Sequence, residues 1–111
     1  MAVYFLTSQP AALLAAFKKK IDDANVVTWS YDQQGDFTHT AEQWKYLAWL
    51  RPIIKSDRLT MCILKNKNKP LTPATYGIYH GRIIESMLTH CDKLFTDGVA
   101  TAMPTSEDTV S

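Results

Sequence analysis

The sequence predicts an α+β fold: a two-layer sandwich in which a mostly antiparallel sheet carries two long helices on one face, as a variant of the ferredoxin-like layout. Three observations carry that expectation. Two segments, 10–24 and 72–94, place apolar residues at helical spacing behind capping residues. Short runs of β-formers stand before, between and after them. A glycine-containing turn, Asp32-Gln33-Gln34-Gly35-Asp36, joins two of those runs as a hairpin. The resulting order is β-α-β-β-(short α)-β-α-β. With 111 residues the chain is long enough for one core, expected over 1–102, and 103–111 reads as a flexible C-terminal tail.

Each element has its own warrant. Val3, Tyr4, Phe5 and Leu6 are apolar on both parities, which predicts a central strand. Ser8 is a candidate cap for the first helix, with Pro10 in its first turn and Leu13, Leu14, Phe17 and Ile21 as its buried stripe. Lys18, Lys19 and Lys20 read as a solvated face near its end. Residues 26–31 and 37–40 are rich in β-formers and flank the hairpin turn. For 41–50 the sequence favours a short helix capped by Thr40, with Trp44, Leu47 and Ala48 on one face, over a strand suggested by the alternation Trp44-Lys45-Tyr46, and Arg51-Pro52 ends either element. Residues 59–65 predict a further strand, and Val99 with Thr101 a last one within 95–102.

The long helix is the least ordinary segment. Thr72 is a good N-cap and Pro73 suits the first helical position. Gly77 and Gly81 each cost about 1 kcal/mol against alanine inside a helix. Four residues apart, they form one flat strip, which predicts close packing of another backbone, or else room for a ligand. The same helix holds His80, His90 and Cys91.

Composition narrows the function. The net charge of +1 supplies no field toward nucleic acid or membrane. No apolar run reaches membrane-spanning length, the N-terminal run is too short for a signal peptide, and two cysteines make no disulfide framework, so a cytoplasmic chain is expected. The histidines and cysteines lack the paired spacings of a zinc site, no glycine-rich phosphate loop occurs, and no metal or cofactor is expected. Cys91 near a helix C-terminus has the wrong dipole for an activated thiol.

One constellation has physical logic. Lys65, Lys67 and Lys69 precede the positive N-terminal end of the long helix, and Tyr76, Tyr79, His80 and Arg82 follow within its first turns. Together they form the candidate ligand or anion site, although Arg82 projects away from His80. Three functional readings follow. The leading one is a small non-enzymatic interaction protein, a regulator or inhibitor of immunity type, acting on a partner protein. Three Trp, five Tyr and four Phe exceed what two helices need for packing, and Trp and Tyr are favoured interface anchors. The same surplus suggests a homodimer through the sheet or through the 44–49 segment. The second reading is nucleotide or nucleic-acid binding through the 65–69 loop. The third is a small enzyme with His80 as acid or base.

Overall fold

The computed structural model describes residues 2–109. It is an α+β chain with a six-stranded antiparallel sheet and two α-helices. In chain order these are β1 (Ala2–Leu6), α1 (Pro10–Asp22), β2 (Trp29–Tyr31), β3 (Phe37–His39), β4 (Ala48–Ile54), β5 (Arg58–Lys65), α2 (Pro73–His90) and β6 (Asp97–Ala100), with a 3₁₀ turn at Asp92–Leu94. The strand order is β2-β3-β4-β5-β1-β6.

The register sorts the side chains into two faces. Val3 stands opposite Met61 and Phe5 opposite Leu59, while Leu50 pairs with Ile63. Alternation therefore gives these six residues one side of the sheet. They join a single buried cluster with Leu13 and Phe17 of α1 and with Tyr79, Ile83 and Met87 of α2. Phe37 and Trp29 extend the cluster, Phe37 packing on Phe17 at 5.5 Å between ring centroids. The opposite parity carries Tyr4, Trp49, Arg51, Ile53, Thr60, Cys62 and Leu64. At Gly98 the approach is close, since a Cβ there would meet the Phe5 ring at 3.2 Å.

Several local expectations change. Ser8 does not cap α1: Gln9 is the N-cap, without a side-chain bond, and the Gln9 N–H goes to the Thr7 hydroxyl. The helix ends at Asp22, because Ala24 turns to a φ of 61°. Of the expected strand over 26–31 only Trp29–Tyr31 pairs, and Val27 is exposed.

The short helix expected over 41–50 does not form. Residues 41–47 are turns and bends, and β4 begins at Ala48. Nor does Pro52 end an element; it lies inside β4 opposite Met61. The Lys55 N–H donates to the Arg58 carbonyl at the hairpin end. Counting back through the alternation of bonded pairs, the Pro52 nitrogen faces away from β5. On that side β3 pairs with β4 at Phe37 opposite Leu50 and not at Pro52, so the missing N–H costs no ladder bond.

Within 103–111, expected as a flexible C-terminal tail, residues 105–109 make hydrogen bonds that reach β5 and Lys55. Ala2 stands opposite Cys62, and beyond that point residues 108 and 109 take up the β5 edge. The Ile63 N–H donates to the Asp108 carboxylate at 2.8 Å, the Thr109 N–H to the Ile63 carbonyl, and the Lys65 N–H to the Thr109 carbonyl. Asp108 also takes the Thr105 N–H and hydroxyl, and Glu107 reaches Lys55 at 2.8 Å. Residues 110 and 111 lie outside the described residues.

Candidate functional site

A groove of about 700 Å³ is lined by residues from the hairpin turn, β4, β5, the following loop and Thr109. It forms where the β2–β3 turn and the loop after β5 rise beside the sheet face opposite the helices. Trp49 and Leu64, opposite each other on β4 and β5, share that parity and are half-buried. Arg51, two residues on, sends Nε and Nη2 to the two oxygens of Asp36 at 3.0 and 2.8 Å. Asp36 is only 3% exposed while Arg51 is half exposed, so the pair anchors the hairpin turn and leaves one side of the guanidinium in the groove. Asp32 completes the turn by accepting the Gln34 and Asp36 N–H groups, with Gly35 at a φ of 82°.

The 41–47 turn sets the aromatic rim. Tyr46 has a φ of 60°, a left-handed conformation that costs about 1 kcal/mol for a residue with a Cβ. Both of its peptide groups are held: its N–H by the Thr38 hydroxyl at 3.2 Å and its carbonyl by the Asn66 side-chain amide at 2.7 Å. The Tyr46 ring then lies nearly parallel to Trp49, 6.3 Å between centroids, with the Lys45 ammonium 5.0 Å above it.

The residues expected to form one site are divided among four environments. Lys65 and Lys67 line the groove with Asn66 and Asn68, and the Lys65 ammonium donates to the Asn66 carbonyl. Lys69 is exposed on the loop beyond. Tyr76 lines a separate cavity of about 220 Å³ with Leu71, Thr72, Pro73 and residues 102–104. There the Thr72 hydroxyl already accepts the Thr75 N–H, so the helix start is capped by its own side chain. Tyr79 is fully buried; its hydroxyl donates to the Trp44 carbonyl at 2.5 Å and lies 3.0 Å from that of Thr38. His80 is 3% exposed, with Nδ1 2.6 Å from the Tyr76 carbonyl and its ring 4.5 Å from that of Tyr76. Arg82 is exposed. The lysines and the start of α2, neighbours in sequence, therefore face different cavities.

The strip at Gly77 and Gly81 also differs from expectation. Among the described residues no backbone packs on it: a Cβ at either position would meet nothing within 4 Å. The remaining candidate groups are held in the interior. His39 accepts the Ala41 N–H at Nδ1, which places its proton on Nε2, and burial followed by the nearby Arg82 charge lowers its pKa. Burial pushes the Cys62 and Cys91 thiols up, keeping them protonated. Among the described residues no group of three or more His, Cys, Asp or Glu side chains is placed to hold a metal ion. Among the described residues no helix is long and apolar enough to cross a membrane.

Trp49, Arg51, Asp36 and Leu64 were not marked as site residues by the sequence. The signal available was the density of aromatics in 44–49, which the expectation of a short helix turned toward packing. No protein-family model, curated protein or solved structure matches this chain.

Proposed function

We propose that this chain is a small non-enzymatic cytoplasmic binding module that docks a partner protein through the sheet face opposite its helices. The observation that carries the reading is the groove of about 700 Å³ with Trp49 and Leu64 half-buried beside Arg51. Tryptophan and arginine in a concave, partly desolvated setting are the side chains that most often anchor a protein interface. The polar rim of Asp32, Gln34, Asn66 and Asn68 supplies donors and acceptors of both kinds. We also read the framework as a two-layer, ferredoxin-like variant, in which the β2–β3 hairpin is an insertion. The order β4-β5-β1-β6, with α1 following β1 and α2 joining β5 to β6, supports it.

The test is direct. Affinity capture with the intact chain and with Trp49→Ala, both shown folded by circular dichroism, should yield a protein bound by the first and lost by the second. Titration of that purified protein should then weaken by about tenfold to a hundredfold, the range for losing one aromatic anchor. Equal binding by both chains rejects the surface.

A second reading, a nucleotide or single-stranded nucleic acid in the same groove, is favoured by Lys65 and Lys67 lining it beside Trp49. The matched Arg51–Asp36 pair and the net charge of +1 weigh against it. Titration with a single-stranded oligonucleotide separates the two. A salt-sensitive quench of tryptophan fluorescence that Trp49→Phe removes selects nucleic acid, and an unchanged spectrum removes it.

A further inference from the structure

One edge of the sheet is left open, and the helix beside it has an exposed stripe of matching extent. β6 is the last strand in the order and pairs with β1. The Thr7 N–H donates to the Asp57 carbonyl on the β5 side, and the Thr96 N–H to the Leu6 carbonyl on the β6 side. Even-numbered residues of β1 therefore bond β6, through Tyr4 with Val99 and Leu6 with Asp97. The N–H and carbonyl groups of Gly98 and Ala100 consequently point outward, away from the sheet. Asp97 stands at the start of the strand, and the segment 98–101 that follows contains no charged residue and no proline, the residues that usually blunt such an edge.

Above this edge runs α2. At 100° per residue Gly77, Gly81, Ile84 and Leu88 fall within about 60° of one another. Ile84 Cγ2 lies 3.5 Å from the Cβ position of Gly98, so the stripe faces the β6 side of the helix. Leu88 is 54% exposed on it, and both glycines are open.

We infer that a second copy of this chain docks along β6 and the outer stripe of α2, continuing the sheet across a two-fold axis. An axis beside Val99 bonds Gly98 to Ala100 of the second copy and Ala100 to its Gly98, an antiparallel pairing that satisfies every outward group of both strands. The contact between Ile84 and Gly98 sets Ile84 near the same axis. One helical turn either way, Leu88 then stands opposite Gly81 of the second copy, where the absent side chain leaves room for it. Antiparallel helices also bring Asp92, exposed just past the end of α2, beside the first turn of the second helix. A carboxylate is favoured there by the positive end of the helix dipole. An isologous interface needs this self-complementarity of one patch with itself. Partner proteins on the Trp49 groove would bind the opposite sheet face, so the two surfaces do not compete.

Sedimentation equilibrium on the intact chain tests the arrangement, with Leu88→Glu and Ala100→Pro as variants. Leu88 is exposed, and the Ala100 N–H makes no bond to β1, so both changes leave the monomer's contacts in place. The expected result is a species of twice the 12.6 kDa chain mass. Each variant should weaken it by on the order of tenfold or more. The amides of Gly98 and Ala100 should exchange slowly in the dimer and fast in Leu88→Glu. A chain that stays monomeric across the micromolar range, or a dimer that persists in either folded variant, overturns the inference.

Discussion

Replacing Tyr79 by Phe isolates the link between α2 and the turn that carries the groove's aromatic rim. The ring stays, packed edge-on to Trp29 at 5.6 Å, so the change removes one oxygen. That oxygen donates to the Trp44 carbonyl and touches the Thr38 hydroxyl, which in turn donates to the Ala48 carbonyl and receives the Tyr46 N–H. The loss is one buried hydrogen bond and part of a second. The Trp44 carbonyl keeps only the longer bond from the Leu47 N–H, at 3.3 Å. At about 1 kcal/mol per bond, with a further fraction for incomplete satisfaction, the cost is about 1–2 kcal/mol. For a chain of this length the unfolding entropy makes that a fall in Tm of roughly 4–8 °C. Urea unfolding followed by tryptophan fluorescence should show a lower midpoint with an unchanged slope. The double variant with Thr38→Val should cost less than the two single changes summed, since both remove the same contact. A Tm within about a degree of the parent, or strict additivity, would refute the claim that this network holds the 41–47 turn.

Two further outcomes follow from the same geometry. Arg51→Met leaves the nearly buried Asp36 carboxylate without its two charge-assisted bonds and should cost about 1–3 kcal/mol in urea unfolding, with Asp36→Asn in the same chain restoring part of it; equal loss with or without the second change would show that the pair is not coupled. His39 is held neutral, its folded pKa below the ordinary value of 6.5. The unfolded chain therefore takes its proton first, so His39's contribution to stability is intact above about pH 6.5 and falls as pH drops toward the folded pKa. His39→Gln should flatten this part of the stability–pH profile, and a profile unchanged by that substitution would contradict the placement.

What the sequence could reveal was decided by the range of the causes. The start of α2 was legible because Thr72 and Pro73 act within one turn, and the hairpin turn because Asp32 and Gly35 do. β4 was not. Its local spacing is ambiguous, since Trp44, Leu47 and Ala48 suit a helix while Trp44-Lys45-Tyr46 alternates like a strand, and Pro52 forbids neither outcome by itself. The strand is possible because β3 has no partner residue at the position where Pro52 would need one, a fact of strand order. The contacts of the tail were hidden for a related reason. Residues 105–109 are polar and aperiodic, and their order comes from an edge of β5 more than forty positions earlier. The grouping of the candidate site was hidden in the same way. Sequence proximity joined the lysines to the helix, whereas the fold set Lys65 and Lys67 beside Trp49 and Arg51 from the neighbouring strand.

The sheet's edges are treated unequally, and the inequality bears on association. β2 is three residues long, and its Tyr31 is tied to Asp22 through the hydroxyl with the Lys18 ammonium 5.3 Å from its ring. Charge beside a short strand is a common guard against pairing. The part of the β5 edge that β1 does not reach is filled by Asp108 and Thr109. β6 alone among the described edges combines outward peptide groups, small residues and an exposed leucine on the adjoining helix. On β6, itself four residues long, the one charge is Asp97 at its start, which leaves 98–101 as the stretch without a charged side chain or proline and makes it the position where a single added proline should be felt.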